Sequence, residues 1–298
     1  MEDKTHAPVA PPPSGGLIRM QAQAAGLGSW LGPTWATLCG VLASDAFRWQ
    51  DGDHVKLLLL LFLVDAGWGT LWSALTSVSW ALPLQRWKSW DQNRAIAKLP
   101  YTLPGTPGDR ISRRMGKLSA WWETAFWPSC GSAVRALVIS LPVTGLLAAL
   151  LGPEVLLLSV AAVALMQLAV IWEGGRGGVP AAWDGFIAVT LPWLAGHAIL
   201  GTVTLPSAGL ATLMALAWGS AWTTPSRKGR GALLTSQLLA AGGLVLLHRP
   251  LAAATLLLCL VPQMALLPWI PHDLTAARFV RYTRPWLMAA MAVAALVL

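Results

Sequence analysis

Apolar positions in this chain come in long uninterrupted runs rather than in the short alternations of a soluble domain. Nine runs stand out, at residues 24–47, 55–82, 132–151, 154–172, 184–203, 207–222, 231–247, 251–270 and 285–298. About 20 apolar residues are enough to carry a helix across the ~30 Å hydrocarbon core of a bilayer. The pattern predicts an all-α, polytopic transmembrane helix bundle of about nine spans. Gly152-Pro153, Leu205-Pro206 and His248-Arg249-Pro250 are the turns expected to fold three pairs of spans into hairpins. Pro33 is expected to kink the first span. The last run offers only ~21 Å by helix rise. It must extend back into residues 271–284 or sit in thinned membrane.

The second run organises the chain. Residues 56–80 read KLLLLLFLVDAGWGTLWSALTSVSW, with Asp65 in the middle of an otherwise apolar stretch. A carboxylate at such depth costs about 3 kcal/mol on insertion scales. Continued as a regular α-helix, the sequence puts Asp65, Gly69, Ser73, Thr76 and Trp80 on one face. That face is expected to look into the bundle or at a ligand, with Leu, Phe and Val toward lipid.

One long polar region follows, at 84–131. Residues 99–108 (LPYTLPGTPG) carry three prolines and two glycines and predict a turn-rich loop. Residues 109–127 predict a helix capped by Asp109, with an apolar stripe of Ile111, Met115, Leu118, Trp122 and Phe126. Arg110, Arg113, Arg114 and Lys117 lie mostly opposite, the pattern of an amphipathic helix lying in the membrane interface. Trp87, Trp90, Trp121, Trp122 and Trp127 bracket this region, together with Trp80, as expected interfacial anchors.

Composition agrees. Hydrophobic residues make up 55% of the chain and charged residues 11%, against ~25% charged in a soluble domain. The net charge of +8 fits cationic cytoplasmic loops better than nucleic-acid binding. With nine spans and the 84–131 region in the cytoplasm, 18 of the 21 lysines and arginines fall on that side. Arg48, Lys56 and Arg249 remain outside. This places the N-terminus in the cytoplasm and the C-terminus outside, in a cell membrane of the bacterial inner-membrane kind. Residues 1–16 (MEDKTHAPVAPPPSGG) read as a disordered Pro-rich tail and not a signal peptide, leaving 17–298 as a single transmembrane domain. Cys39, Cys130 and Cys259 lie within or beside apolar runs, without metal or disulfide spacing, and read as buried thiols.

No nucleotide, zinc-protease or serine-hydrolase motif is present, and no metal site is expected. The Gly-rich stretch 173–183 reads as a flexible connector. Besides Asp65, Ser73 and Thr76, the intramembrane polar candidates are Gln167 and His197. Asp65 could serve as a proton relay, an ion ligand, an acceptor for a bound quinone, pigment or lipid, or an interhelical contact. His197 follows Pro192 by five residues and reads as a bundle residue or a tetrapyrrole ligand. Arg227, Lys228 and Arg230 form a second basic cytoplasmic surface.

In length, span number and sidedness the chain resembles the UbiA-type intramembrane prenyltransferases. The resemblance implies cytoplasmic loops after the second and sixth helices, carrying NDxxDxxxD-like and DxxxD-like motifs that hold magnesium for a prenyl diphosphate. The matching stretches here read TSVSWALPLQRWKSWDQN and AWTTPSRKGRG. The first offers only Asp91 and the second no carboxylate, so the aspartate-rich motifs are missing. Two magnesium ions need several convergent carboxylates. The leading expectation is therefore a non-catalytic accessory or assembly subunit of a larger membrane complex, of a photosynthetic or respiratory kind. It would contact membrane lipids, other membrane subunits, and a lipid, quinone or pigment. A divergent prenyltransferase or other lipid-modifying enzyme is the first alternative, and a small-molecule carrier the second.

Overall fold

The computed structural model describes residues 31–44, 52–78, 80, 83, 87, 105–176, 181–269 and 275–298. The 1–16 tail, the 99–104 part of the Pro-rich loop, Trp90 and Asp91 lie outside them. Among the described residues all regular structure is helical. The helices are α1 (Leu31–Leu42), α2 (Asp53–Thr76), α3 (Pro107–Leu151), α4 (Pro153–Arg176) and α5 (181–198). They continue as α6 (Leu205–Trp222), α7 (Arg227–Leu246), α8 (Pro250–Leu266) and α9 (Ala276–Leu296).

The hairpin turns fall where the sequence puts them. Gly152, at φ 124°, separates α3 from α4 in a conformation that only glycine adopts readily. Three expectations are corrected and a fourth is met. Pro33 lies in the first turn of α1, where its missing N–H breaks no helical bond, so it does not kink the helix. The amphipathic segment is not a separate interfacial helix, because α3 runs through it without interruption for 45 residues. The Gly-rich connector starts later, since α4 continues to Arg176. The last helix does extend back, to Ala276, and carries Pro285 inside it.

Three π-helical segments interrupt this regularity: Leu63–Trp68 in α2, Trp122–Phe126 in α3 and Phe186–Thr190 in α5. Two of them end two residues before a proline, Pro128 and Pro192. A proline cannot donate to the carbonyl four residues back, and widening the preceding turn relieves the clash. The segment around Asp65 has no proline behind it.

Two cores hold the bundle. One gathers α1 and α6 to α9 around Trp193, Met214, Leu233, Leu244, Phe279 and Met291. The other joins α2, α3 and α4 around Leu63, Trp68, Leu71 and Met166. Helix α5 belongs to both: Val189 and Trp193 face the first, Ile187, Leu191 and Ala195 the second. Its contact with α1 is backbone on backbone. A Cβ on Gly40 would land on the Trp193 carbonyl, and one on Gly196 on the Thr37 carbonyl. Small residues permit this approach between membrane helices.

Among the described residues, four helical stretches are long and apolar enough to cross a membrane: Asp53–Thr76, Pro107–Leu151, Pro153–Trp172 and Pro250–Trp269. The apolar window of α3 is only 17% buried within the protein, against 61% for α2. Helices α5, α6 and α9 bring Ala, Gly and Ser into the interior beside larger side chains such as Trp193, Met214 and Phe279.

Candidate intramembrane polar site

Asp65 is 3% exposed and sits inside the π-helical turn of α2. That turn explains why the expected polar face does not form. A π turn inserts about one residue, rotating everything beyond it by ~100° relative to a regular helix. Asp65 and Gly69 face the interior, whereas Ser73 and Thr76 are exposed. Thr76 spends its hydroxyl on the Trp72 carbonyl one turn back, at 2.8 Å.

The wall against the Gly67 side of this turn comes from α3 and α4. A Cβ on Gly67 would meet Thr144 Oγ1 at 2.9 Å, so α3 passes against the π turn itself. Ser140, one turn earlier on the same face of α3, is buried as well. The hydroxyls of Thr70, Ser140 and Thr144 are buried and form no hydrogen bond. From α4, Ser159 accepts the Trp68 indole N–H at 3.3 Å. This seam therefore carries three hydroxyls with spare hydrogen-bonding capacity, beside the Leu, Ala and Trp side chains of the smaller core. Neither the threonines nor Ser140 and Ser159 are singled out by the sequence pattern. Only the packing of α3 on α2 identifies them.

Beside this seam an apolar cleft of about 220 Å³ opens between α2, α3 and α4, lined by Leu71, Leu75, Leu137, Leu141, Val163 and Met166. Gln167 also lines it. Gln167 is exposed on the outer surface of α4. Its carboxamide faces the cleft mouth and not the bundle interior.

His197 is buried at 3% exposure and engaged at both ring nitrogens. Nε2 lies 2.9 Å from the Thr202 carbonyl, which only accepts, so Nε2 carries the proton. Nδ1 then accepts from the Ser207 hydroxyl at 3.0 Å. Ser207 in turn accepts the Trp193 indole N–H at 3.0 Å. This chain ties α5 to the start of α6. Tetrapyrrole ligation through either nitrogen would require breaking one of these bonds.

A second polar contact escaped the sequence reading. Gln237 and Gln263, both fully buried, exchange reciprocal amide hydrogen bonds of 2.9 and 3.1 Å between α7 and α8. The clue was available, because the two glutamines are equidistant from the turn at Pro250 and must meet in an antiparallel hairpin.

The aromatic-basic region forms a cluster at the start of α3. Trp121 is buried, donating to the Pro83 carbonyl at 3.0 Å. Its indole is tied to Pro83 and is not a free interfacial anchor. Trp87 meets it edge-on at 5.5 Å, and Lys117 Nζ lies 4.9 Å over the Trp87 ring. Trp122 stacks on Phe126 and Trp127 at 4.6 and 5.8 Å, and both tryptophans are exposed. The cap expected at Asp109 is instead Thr106, whose hydroxyl accepts the Asp109 N–H, and Asp109 sits inside the first turn, accepting from Arg113 at 2.6 Å and from the Gly105 N–H at 3.1 Å. Arg110 and Arg114 remain exposed, as do Arg227 and Lys228, while Arg230 is half-buried.

Cys39, Cys130 and Cys259 are free and buried. No group of three or more potential metal-ligating side chains occurs among the described residues. The fold thus defines an all-helical protein with helices able to span a membrane. Comparison of the chain with family models, curated proteins and solved structures finds no match.

Proposed function

We propose that this chain is a non-catalytic integral membrane subunit that supports a larger membrane assembly. The observation that carries the reading is helix α3. Its 45 residues measure ~67 Å by helix rise, more than twice the ~30 Å hydrocarbon core. Yet α3 contributes little to the protein's own packing. Ile111, Met115 and Leu118 form an exposed apolar edge with Arg110 and Arg114 beside it, continuing into the exposed Val138, Ile139 and Leu146. Such a helix offers one continuous surface to lipid below and to a neighbouring subunit above.

Nine crossings accompany this reading, with the amphipathic half of α3 in the cytoplasm. The 18 to 3 distribution of lysine and arginine supports that sidedness. Extraction of native membranes with mild detergent tests the proposal. The chain should migrate with partner subunits and lose them when Met115 and Leu118 are both replaced by glutamate. A monodisperse 31.7 kDa species without partners would overturn it.

A further inference from the structure

Arg284 occupies an unusual place on α9. Its guanidinium is half-buried over the Trp218 ring of α6, at 5.3 Å from the ring centroid. Its Nε is buried and has no hydrogen-bond partner. The two salt bridges among the described residues, Lys56–Asp53 and Arg113–Asp109, lie elsewhere. Burying a guanidinium is costly unless an anion compensates it, and an aromatic face supplies only part of that compensation. Arg281, three residues earlier and exposed, adds a second positive charge on the neighbouring turn.

The surroundings are firmly built. Gly32 of α1 approaches Trp218 so closely that a Cβ there would lie 2.5 Å from ring atom Cζ2. The Trp35 indole donates to the Met288 carbonyl at 2.9 Å, tying α1 to α9 one turn beyond Arg284. The same first turn of α1 holds Thr34, whose buried hydroxyl also lacks a partner. A fixed aromatic platform, an uncompensated guanidinium donor and a spare hydroxyl donor thus share one end of the bundle, where α1, α6 and α9 meet. Exposed Trp222 and Trp286 mark the same end, and indoles favour the headgroup level.

We infer that Arg284 and Trp218 form a binding site for a phosphate group, with Arg281 and Thr34 as supporting contacts. Arginine matches phosphate in geometry and stays charged at every working pH. The phosphate could belong to an anionic lipid headgroup or to a soluble phosphate compound.

Purified protein in neutral detergent separates these sources. Its melting temperature and affinity would be followed while titrating phosphatidic acid, phosphatidylcholine or inorganic phosphate, for wild type, Arg284→Gln and Arg284→Lys. Phosphatidic acid should raise the melting temperature, and Arg284→Gln should weaken its binding roughly ten- to hundredfold. Arg284→Lys should recover only part of the affinity. A response to inorganic phosphate as large as that to the lipid, and equally lost in Arg284→Gln, assigns the same site to a soluble ligand. Arg227→Gln with Lys228→Gln, on the exposed basic turn, controls for general charge and should keep the response. If Arg284→Gln folds and responds as wild type does, or phosphatidylcholine stabilises all variants equally, the inference fails. If Arg284→Gln does not fold, Arg284→Lys decides: unaltered affinity there overturns the site.

Discussion

The two cores of this bundle treat buried polar groups in opposite ways. In the larger one, around α1 and α5 to α9, the interior polar side chains are mostly engaged. Trp193, Ser207, His197 and Thr202 form one chain of hydrogen bonds, and Gln237 and Gln263 close on each other. In the smaller core, where α2 meets α3, the hydroxyls of Thr70, Ser140 and Thr144 form no bond, next to a π turn of α2 that no proline accounts for. The first arrangement specifies which helices meet. The second keeps polar capacity in reserve, at a cost in stability that packing alone does not require. Polar groups inside membrane segments are rare because of that cost. The contrast marks the α2–α3 contact as a place where buried hydroxyls are not accounted for by pairing.

The comparison is most sharply tested where packing is tightest. Gly40→Val drives a side chain into the Trp193 carbonyl and should cost about 4 kcal/mol or more, with loss of monodisperse protein in detergent. Survival of a normal melting curve would mean that α1 and α5 do not touch through their backbones. Next comes the glutamine pair. Gln237→Leu leaves the Gln263 carboxamide without its partner and should cost about 1–2 kcal/mol, while the double Leu variant should recover to within ~1 kcal/mol of wild type. Chemical denaturation of all four proteins gives this cycle directly, and strict additivity would remove the engaged-pair interpretation. Ser207→Ala should cost about 1 kcal/mol by breaking two bonds at once. The shape-matched Thr144→Val should change stability by less than ~0.5 kcal/mol or raise it, because no hydrogen bond is lost. Equal losses in the two variants would erase the distinction between the cores. The smallest effect is expected at the first turn of α3, where the buried Asp109 pairs with the exposed Arg113. Asp109→Asn removes the charge facing Arg113 and keeps only a neutral amide oxygen as acceptor, and should register as faster proteolysis before α3 with little change in melting temperature.

Much of the architecture was legible in the sequence because lipid imposes one simple rule on long apolar runs. The turns at Gly152, Pro206 and Pro250 follow from it, as does the backward extension of the last helix. The polar face proposed for α2 was not legible, since it assumed an unbroken period of 3.6 residues. The π turn at Asp65 rotates Ser73 and Thr76 away, and no proline announces it. Trp121 reads like its neighbour Trp122 in sequence, yet one binds the Pro83 carbonyl and the other faces outward. Only the tertiary arrangement separates them. Gln237 and Gln263 were within reach of a symmetry argument about Pro250. Arg284 was not, because its setting depends on a tryptophan from α6 and a glycine from α1.

The glycine-mediated crossing of α1 and α5 has a consequence for biogenesis. The ribosome delivers α1 first, and Gly196 follows only after three further membrane helices have been made. During that interval the Gly40 notch has nothing seated in it. Final assembly of the larger core must therefore wait on α5, so interrupting synthesis before that helix should leave α1 unanchored even though all of its own residues are present.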